Sequence, residues 1–209
     1  MDRDQDHLNR LIDLAQDEES RTPGVPTRTI HPVCGSVEGA GLSEIDGADL
    51  VTCSALLDLV SEAWLRELVH AVAHGAERGA YFALSYNGDI QWSVPDPVDA
   101  AVRDAVNAHQ LQDKGMGPAL GPEASDLVDG LLEDAGFRTE TRASPWRLQG
   151  PTDNELTTAL VLGWAEAASE QRPADAASFW AWRARRLDTI RGGDYDLRVG
   201  HHDVLALPT

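Results

Sequence analysis

Lysine is almost missing from this chain of 209 residues: Lys114 stands alone against sixteen arginines, and the net charge is −18 with a pI near 4.5. So acidic a chain repels a phosphate backbone, and no local basic patch offsets it, so nucleic acid is excluded as a partner and small-molecule or protein substrates are favoured. The lysine shortage itself is background. Only two cysteines occur, Cys34 and Cys53, each close to a predicted strand end and with no CxxC spacing. That rules out a disulfide framework or a thiolate metal site and fits a reducing, cytoplasmic compartment. No run approaches the ~18 to 20 apolar residues of a membrane helix, and the acidic N-terminus is the opposite of a signal peptide's basic one. Neither a G-x-S-x-G turn nor a G-x-x-x-x-G-K-[ST] phosphate loop is present, which removes the α/β-hydrolase and phosphate-loop classes. Internal repeats and low-complexity tracts are absent as well.

What is present is an alternation of strand and helix signals. The run Asp49 to Trp64, DLVTCSALLDLVSEAW, reads as a buried parallel strand over Ala48–Cys53 that delivers Ser54 to a sheet edge, followed by a helix from about Leu56 to His74. Leu8, Leu11 and Ile12 mark a short first helix that ends before the breakers Thr22-Pro23-Gly24. Thr27–Cys34 has strand-like composition, Ala80–Ser85 is another apolar strand, and Tyr86-Asn87-Gly88-Asp89 reads as a turn. Helices are expected over Val98–His109, from Pro122 to the Ala135-Gly136 stop, from Asp153 to Ser169 and from Pro173 to Ile190. Strands are expected over Phe137–Ser144 and Leu197–Leu207, the latter with a sharp feature at Gly200-His201-His202. Gln110–Gly121, glycine-rich and polar, is the expected mobile loop. This alternation argues for a mostly parallel sheet covered by helices on both faces, in one domain.

The Asp49–Trp64 run, taken with HQLQDKGMGPALGP, SPWRL and VGHHDVLALP, resembles the class I S-adenosylmethionine-dependent methyltransferases. The resemblance implies a Rossmann-like α/β sheet with one antiparallel strand near the C-terminus, and S-adenosylmethionine as cofactor. Such a fold opens with a strand and a Gly-rich cofactor turn, whereas this chain begins at Met1-Asp2-Arg3-Asp4. Residues 1–209 are therefore expected to form a single, N-terminally incomplete methyltransferase domain whose first strand is missing, consistent with a truncated start.

Methyl transfer from a sulfonium is one displacement, so the protein must align donor and acceptor and take up a proton where the nucleophile carries one. The resemblance implies a carboxylate at the second strand's end for the ribose hydroxyls. Asp2 is the first candidate and Asp4 the substitute, both open to the alternative of solvated terminal acids. Gly35 and Ser36 fall where the adenine would bind, although the family's acidic residue is lacking there. Ser54 falls where the cofactor's amino-acid end and the acceptor would meet, and it also fits a helix N-cap. Leu57 is a cofactor neighbour by position and a core residue by type, and Asp58 is expected to be exposed or capping. His109, Asp113 and Lys114 are the catalytic candidates, with His109 as general base, against a bland reading as helix cap and surface pair. Tyr86 and Gln110 are candidate acceptor contacts, and Trp92 and Trp146 either roof a pocket or simply pack. No metal is expected, since His201 and His202 lack a third ligand at helpful spacing. The Arg183–Arg186 cluster reads as a solvated helix face. The function expected is methyl transfer to a small-molecule acceptor without nucleic acid or membrane, a homodimer being left open. The alternative is an inactive methyltransferase-like binding or partner protein.

Overall fold

A computed structural model describes residues 4–21, 29–37 and 40–209. In chain order its elements are α1 (Gln5–Arg21), α2 (Ala40–Ser43), β1 (Val51–Ser54), α3 (Glu62–Gly75), β2 (Ala80–Trp92), α4 (Asp99–Gln110), α5 (Ala124–Asp134), β3 (Phe137–Ala143), β4 (Trp146–Gln149), α6 (Asn154–Gln171), α7 (Ala176–Gly192) and β5 (Asp196–Pro208).

The sheet runs β1-β2-β5-β3, and β4 pairs with the opposite end of β5. β1 and β2 are parallel, while β5 is antiparallel to β2, β3 and β4 alike. Four strands thus point one way and β5 alone runs against them. This is the mostly parallel arrangement expected, with its reversed strand at the C-terminus.

Alternation along β5 places helices on both faces. Val204 and Ala206 face one way, into a core with Leu65, Leu68 and Val72 of α3 and Val128 and Leu132 of α5. Leu197 and Val199, an odd number of residues away, face the other, into a second core with Val102 and Val106 of α4, Val161 of α6, and Phe179 and Trp182 of α7. The two cores therefore lie on opposite faces and toward opposite ends of the long β2–β5 ribbon.

Four local expectations need correction. The helix after β1 does not begin at Leu56: a tight turn over Leu57–Leu59 comes first, and α3 starts where Ser61 Oγ caps it by accepting from the Trp64 N–H at 3.3 Å. No strand forms over the described part of Thr27–Cys34 beyond a single bridge residue at Cys34, and Thr27 and Arg28 lie outside the described residues. Tyr86–Asp89 is not a turn but a bulge within a continuous β2, where β2 advances four positions, Tyr86 to Ile90, while β5 advances two, His201 to Val199. The bulge uses Gly88 at φ +87°, and its Asn87 Oδ1 lies so close to Gly200 that a Cβ there would be 2.1 Å away. Gly200-His201-His202 is accordingly straight strand, its glycine required by a neighbour rather than by a turn. Finally β4 went unseen: Pro145 breaks what is otherwise one edge strand, with Ser144 N donating to His201 O at 2.9 Å before pairing resumes at Trp146.

The Arg183–Arg186 segment is not uniformly solvated either. Arg186 is 2 % exposed, its Nε donates to Asp99 Oδ1 at 3.1 Å, Nη2 to Asp99 Oδ2 and Nη1 to Val94 O at 2.8 Å, and the guanidinium lies 4.2 Å from the Trp92 ring. Trp182 Nε1 donates to the same carboxylate at 2.8 Å. This buried pair ties α7 to the start of α4.

Candidate functional site

A cleft of about 750 Å³ opens along the outer edge and carboxyl end of β1, within the size range of small-molecule sites. Val51 N donates to Gly79 O and Ala55 N to Ala83 O, so alternate residues of β1 are committed to β2. In a parallel ladder the intervening residues, Thr52 and Ser54, turn their backbone N–H and C=O groups the other way, onto the cleft. Both line it. At Ala55 the backbone takes φ +52°, an uncommon value for a residue with a Cβ, and the strand ends there. The partner of that turn is strained too: Leu84, next to Ala83, has φ +56° and its N–H donates to Asp203 Oδ1 at 2.9 Å.

The wall opposite β1 comes from the start of α3 and from the loop after α4. Trp64 lines the cleft, is 7 % exposed, and leaves its indole N–H buried without an acceptor. Lys114 and Met116 reach the same cleft from the loop. That loop is built rather than slack: Asp113 Oδ1 accepts from Gly115 N at 2.7 Å and Gly117 N at 3.0 Å, and Leu120 N donates to Val60 O at 2.9 Å. Gly117 at φ +85° packs on Ser61, where an added Cβ would sit 3.3 Å from the serine Cβ. From the N-terminal side come Gly35, Val37 and Glu44, the last being the acid among the cleft residues. Cys53 also lines it, but burial pushes its thiol up to about 12, so it is no nucleophile near neutrality.

The expected site residues thus divide. Gly35, Ser54 and Lys114 share the cleft. Asp113 shapes the loop. His109 stands behind Lys114, its Nε2 3.1 Å from Glu170 Oε2 and its Nδ1 3.4 Å from Lys114 Nζ. Gln110 closes α4 against the Gly121 backbone. Tyr86 is buried in the second core, donates to Asn107 Oδ1 at 2.8 Å, and its hydroxyl pKa is driven up, chiefly by burial. Leu57 is 1 % exposed and belongs to the first core, not to the cleft. Asp4 caps α1, accepting from Asp6 N at 2.8 Å and His7 N at 3.3 Å, and the first of these bonds does most to hold its carboxyl below the usual range. Ser36 is not among the cleft residues, although its neighbours are, and Asp2 lies outside the described residues. Asp58, expected outside, is buried, and desolvation raises its pKa.

Trp92 and Trp146 pack rather than roof a pocket, Trp92 against Arg186 and Trp146 with its ring 4.8 Å from that of His201. His201 is buried, which lowers its pKa, and its Nδ1–H donates to Val199 O at 3.1 Å. His202 bridges Ser125 Oγ at 3.1 Å and Asn87 Nδ2 at 3.3 Å. Among the described residues no group of His, Cys, Asp and Glu is arranged to hold a metal, and no helix is long and apolar enough to cross a membrane. Glu44 and Trp64 are the cleft residues that sequence reading missed. Glu44 stood in a segment without periodicity, and Trp64 read as plain core.

No family model and no curated protein matches the chain. Among solved structures it is similar to the phosphoethanolamine N-methyltransferase 2 of Haemonchus contortus in complex with phosphomonomethylethanolamine and S-adenosylhomocysteine, at 10 % identity and TM-score 0.28 over 77 % of this chain and 34 % of that one. A second structure of that enzyme, in complex with S-adenosyl-L-methionine, gives 12 % identity and TM-score 0.29 over 77 % and 33 %. The YcgJ protein of Bacillus subtilis gives 11 % identity and TM-score 0.45 over 99 % and 80 %. The chain spans about a third of the length of the Haemonchus contortus enzyme.

Proposed function

We propose that this chain binds S-adenosylmethionine in the cleft at the end of β1 and serves methyl transfer to a small-molecule acceptor. The observation that carries this reading is the ending of β1. A parallel strand stops at a left-handed Ala55, with Ser54 and two outward-facing backbone N–H groups bordering a cleft of about 750 Å³. Carboxyl ends of parallel strands are where open α/β sheets hold their ligands. The reversed β5 beside β2 and β3 agrees with the sheet implied by the sequence resemblance.

The lining suits the group. Trp64 offers an unmet N–H donor, Thr52 and Ser54 offer backbone donors and acceptors, and Leu50, Leu56 and Leu59 supply an apolar floor for a purine. Glu44 takes the part first given to Asp2 or Asp4, since a carboxylate accepts both hydrogen bonds of a ribose diol. When bound, S-adenosylmethionine supplies a methyl group on sulfonium, ready for a single displacement. The chain's own contribution is to hold, orient and exclude water. Lys114 faces the ligand, with His109 and Glu170 setting its position from behind.

A second reading, binding without turnover, is favoured by one specific feature. Both ring nitrogens of His109 are engaged and the Cys53 thiol is held protonated, so neither cleft nor loop presents a free general base.

Replacing Ser54, exposed at the strand's end, by Trp fills the cleft. The expected result is binding of S-adenosylhomocysteine weakened by about tenfold or more with the melting temperature unchanged. Equal binding by wild type and S54W overturns the placement. Binding by wild type with no methyl transfer from labelled S-adenosylmethionine across an acceptor panel decides for the second reading.

A further inference from the structure

The residues bordering the cleft include one cation, Lys114, in a chain whose net charge is −18. An ammonium set at a ligand cleft in so acidic a molecule reverses the local sign of the field, and its surroundings hold it there. Lys114 Nζ lies 3.4 Å from His109 Nδ1, and His109 Nε2 lies 3.1 Å from Glu170 Oε2 on α6. Two acceptors in series, the imidazole Nδ1 and behind it the carboxylate that takes the Nε2–H, leave the lysine charged. One loop residue further back, Gln112 Nε2 donates to Gln171 Oε1 at 2.6 Å, so the loop is tied to the end of α6 at a second point. Asp113, next to the lysine, spends Oδ1 on Gly115 N and Gly117 N and so fixes the loop's conformation rather than pairing with Lys114. The same cleft holds the unmet indole N–H of Trp64 and the outward N–H groups of Thr52 and Ser54. A donor-rich lining with one cation recognises an acceptor-rich, negatively charged group.

We propose that Lys114, positioned by His109 and Glu170, is the anchor for a carboxylate or phosphate group of the ligand bound in this cleft. The inference rests on the reading of the cleft as the ligand site and deepens it by naming the charge class recognised. Such a group has two sources, the amino-acid end of the cofactor and the acceptor molecule.

The test compares wild type, K114M and K114R by calorimetry with three probes: S-adenosylhomocysteine, 5′-methylthioadenosine, which lacks the amino-acid carboxylate, and inorganic phosphate. Removing one charge-assisted contact is expected to weaken binding of the anionic probe by about 10 to 100-fold, with K114R keeping most of it. A loss confined to S-adenosylhomocysteine, with 5′-methylthioadenosine unaffected, assigns the anchor to the cofactor's carboxylate. A loss confined to phosphate, with S-adenosylhomocysteine binding intact, assigns it to the acceptor. Equal binding of every probe by wild type and K114M overturns the proposal while leaving the cofactor reading standing. A wild type that binds phosphate through Lys114 but not S-adenosylhomocysteine keeps the anion anchor and removes the cofactor reading. Melting curves of K114M, an exposed loop substitution, report whether the fold is kept.

Discussion

At the residue scale the molecule shows two acids with opposite relations to burial. For Asp203, burial pushes the carboxyl pKa up, but bonds from Ser144 Oγ and Tyr81 Oη, each at 2.6 Å, and from Leu84 N at 2.9 Å outweigh it and hold the group below its ordinary range. A folded pKa below the unfolded value of about 3.9 adds stability above that pH, which is lost as pH falls through the folded value. D203N is expected to lower stability by about 1 to 3 kcal/mol at neutral pH, and urea titrations from pH 7 downward should find the gap to wild type closing in acid. A gap that stays constant with pH contradicts this account of Asp203. For Asp58 the sign is reversed. Desolvation raises its folded pKa, so its ionised form opposes folding above the unfolded value, and D58N should raise the melting temperature at neutral pH with the gain vanishing in acid. A lower melting temperature for D58N at neutral pH would mean the carboxylate has a favourable role.

At the element scale, legibility tracked how local each signal was. β1, α3, α4, α5 and β3 announced themselves, because each carries its own apolar period and its own stop, such as Ser61 before α3 or Gly136 after α5. The β2 bulge did not, because Asn87-Gly88 serves a turn and a bulge alike, and only the β5 partner decides between them. Gly200 was misread for the same reason: the demand for glycine comes from Asn87, more than a hundred residues away in the chain. G200A is expected to cost about 1 to 3 kcal/mol by forcing Asn87 aside, and N87A/G200A to recover part of the loss. Thermal melts of the two variants check it, and a double mutant no better than G200A would place the strain elsewhere. The α4–α7 tie was likewise hidden, since Arg186 looks like one more arginine until Asp99 meets it. D99A strands a buried guanidinium and should destabilise by about 3 to 5 kcal/mol, far more than an exposed pair such as Arg66–Glu62 would. Chemical denaturation distinguishes these magnitudes, and a loss under 1 kcal/mol for D99A would mean that Arg186 finds another partner.

At the scale of the whole molecule, strand alternation and one reversed C-terminal strand were readable in advance, and so were Gly35, Ser54 and Lys114 as companions. The cleft itself was not, because its walls come from segments far apart in sequence: Gly35–Ile45, β1, the start of α3 and the loop after α4. His109 and Asp113 sat in the right segment but face the loop's own scaffolding instead of the ligand space. Everything functional turns on whether this cleft takes the cofactor. Calorimetric titration of S-adenosylhomocysteine into the wild-type chain of 209 residues measures that directly. The account predicts one site of micromolar affinity, about −8 kcal/mol, with a raised melting temperature in its presence. A folded chain that gives neither heat nor a thermal shift would contradict it.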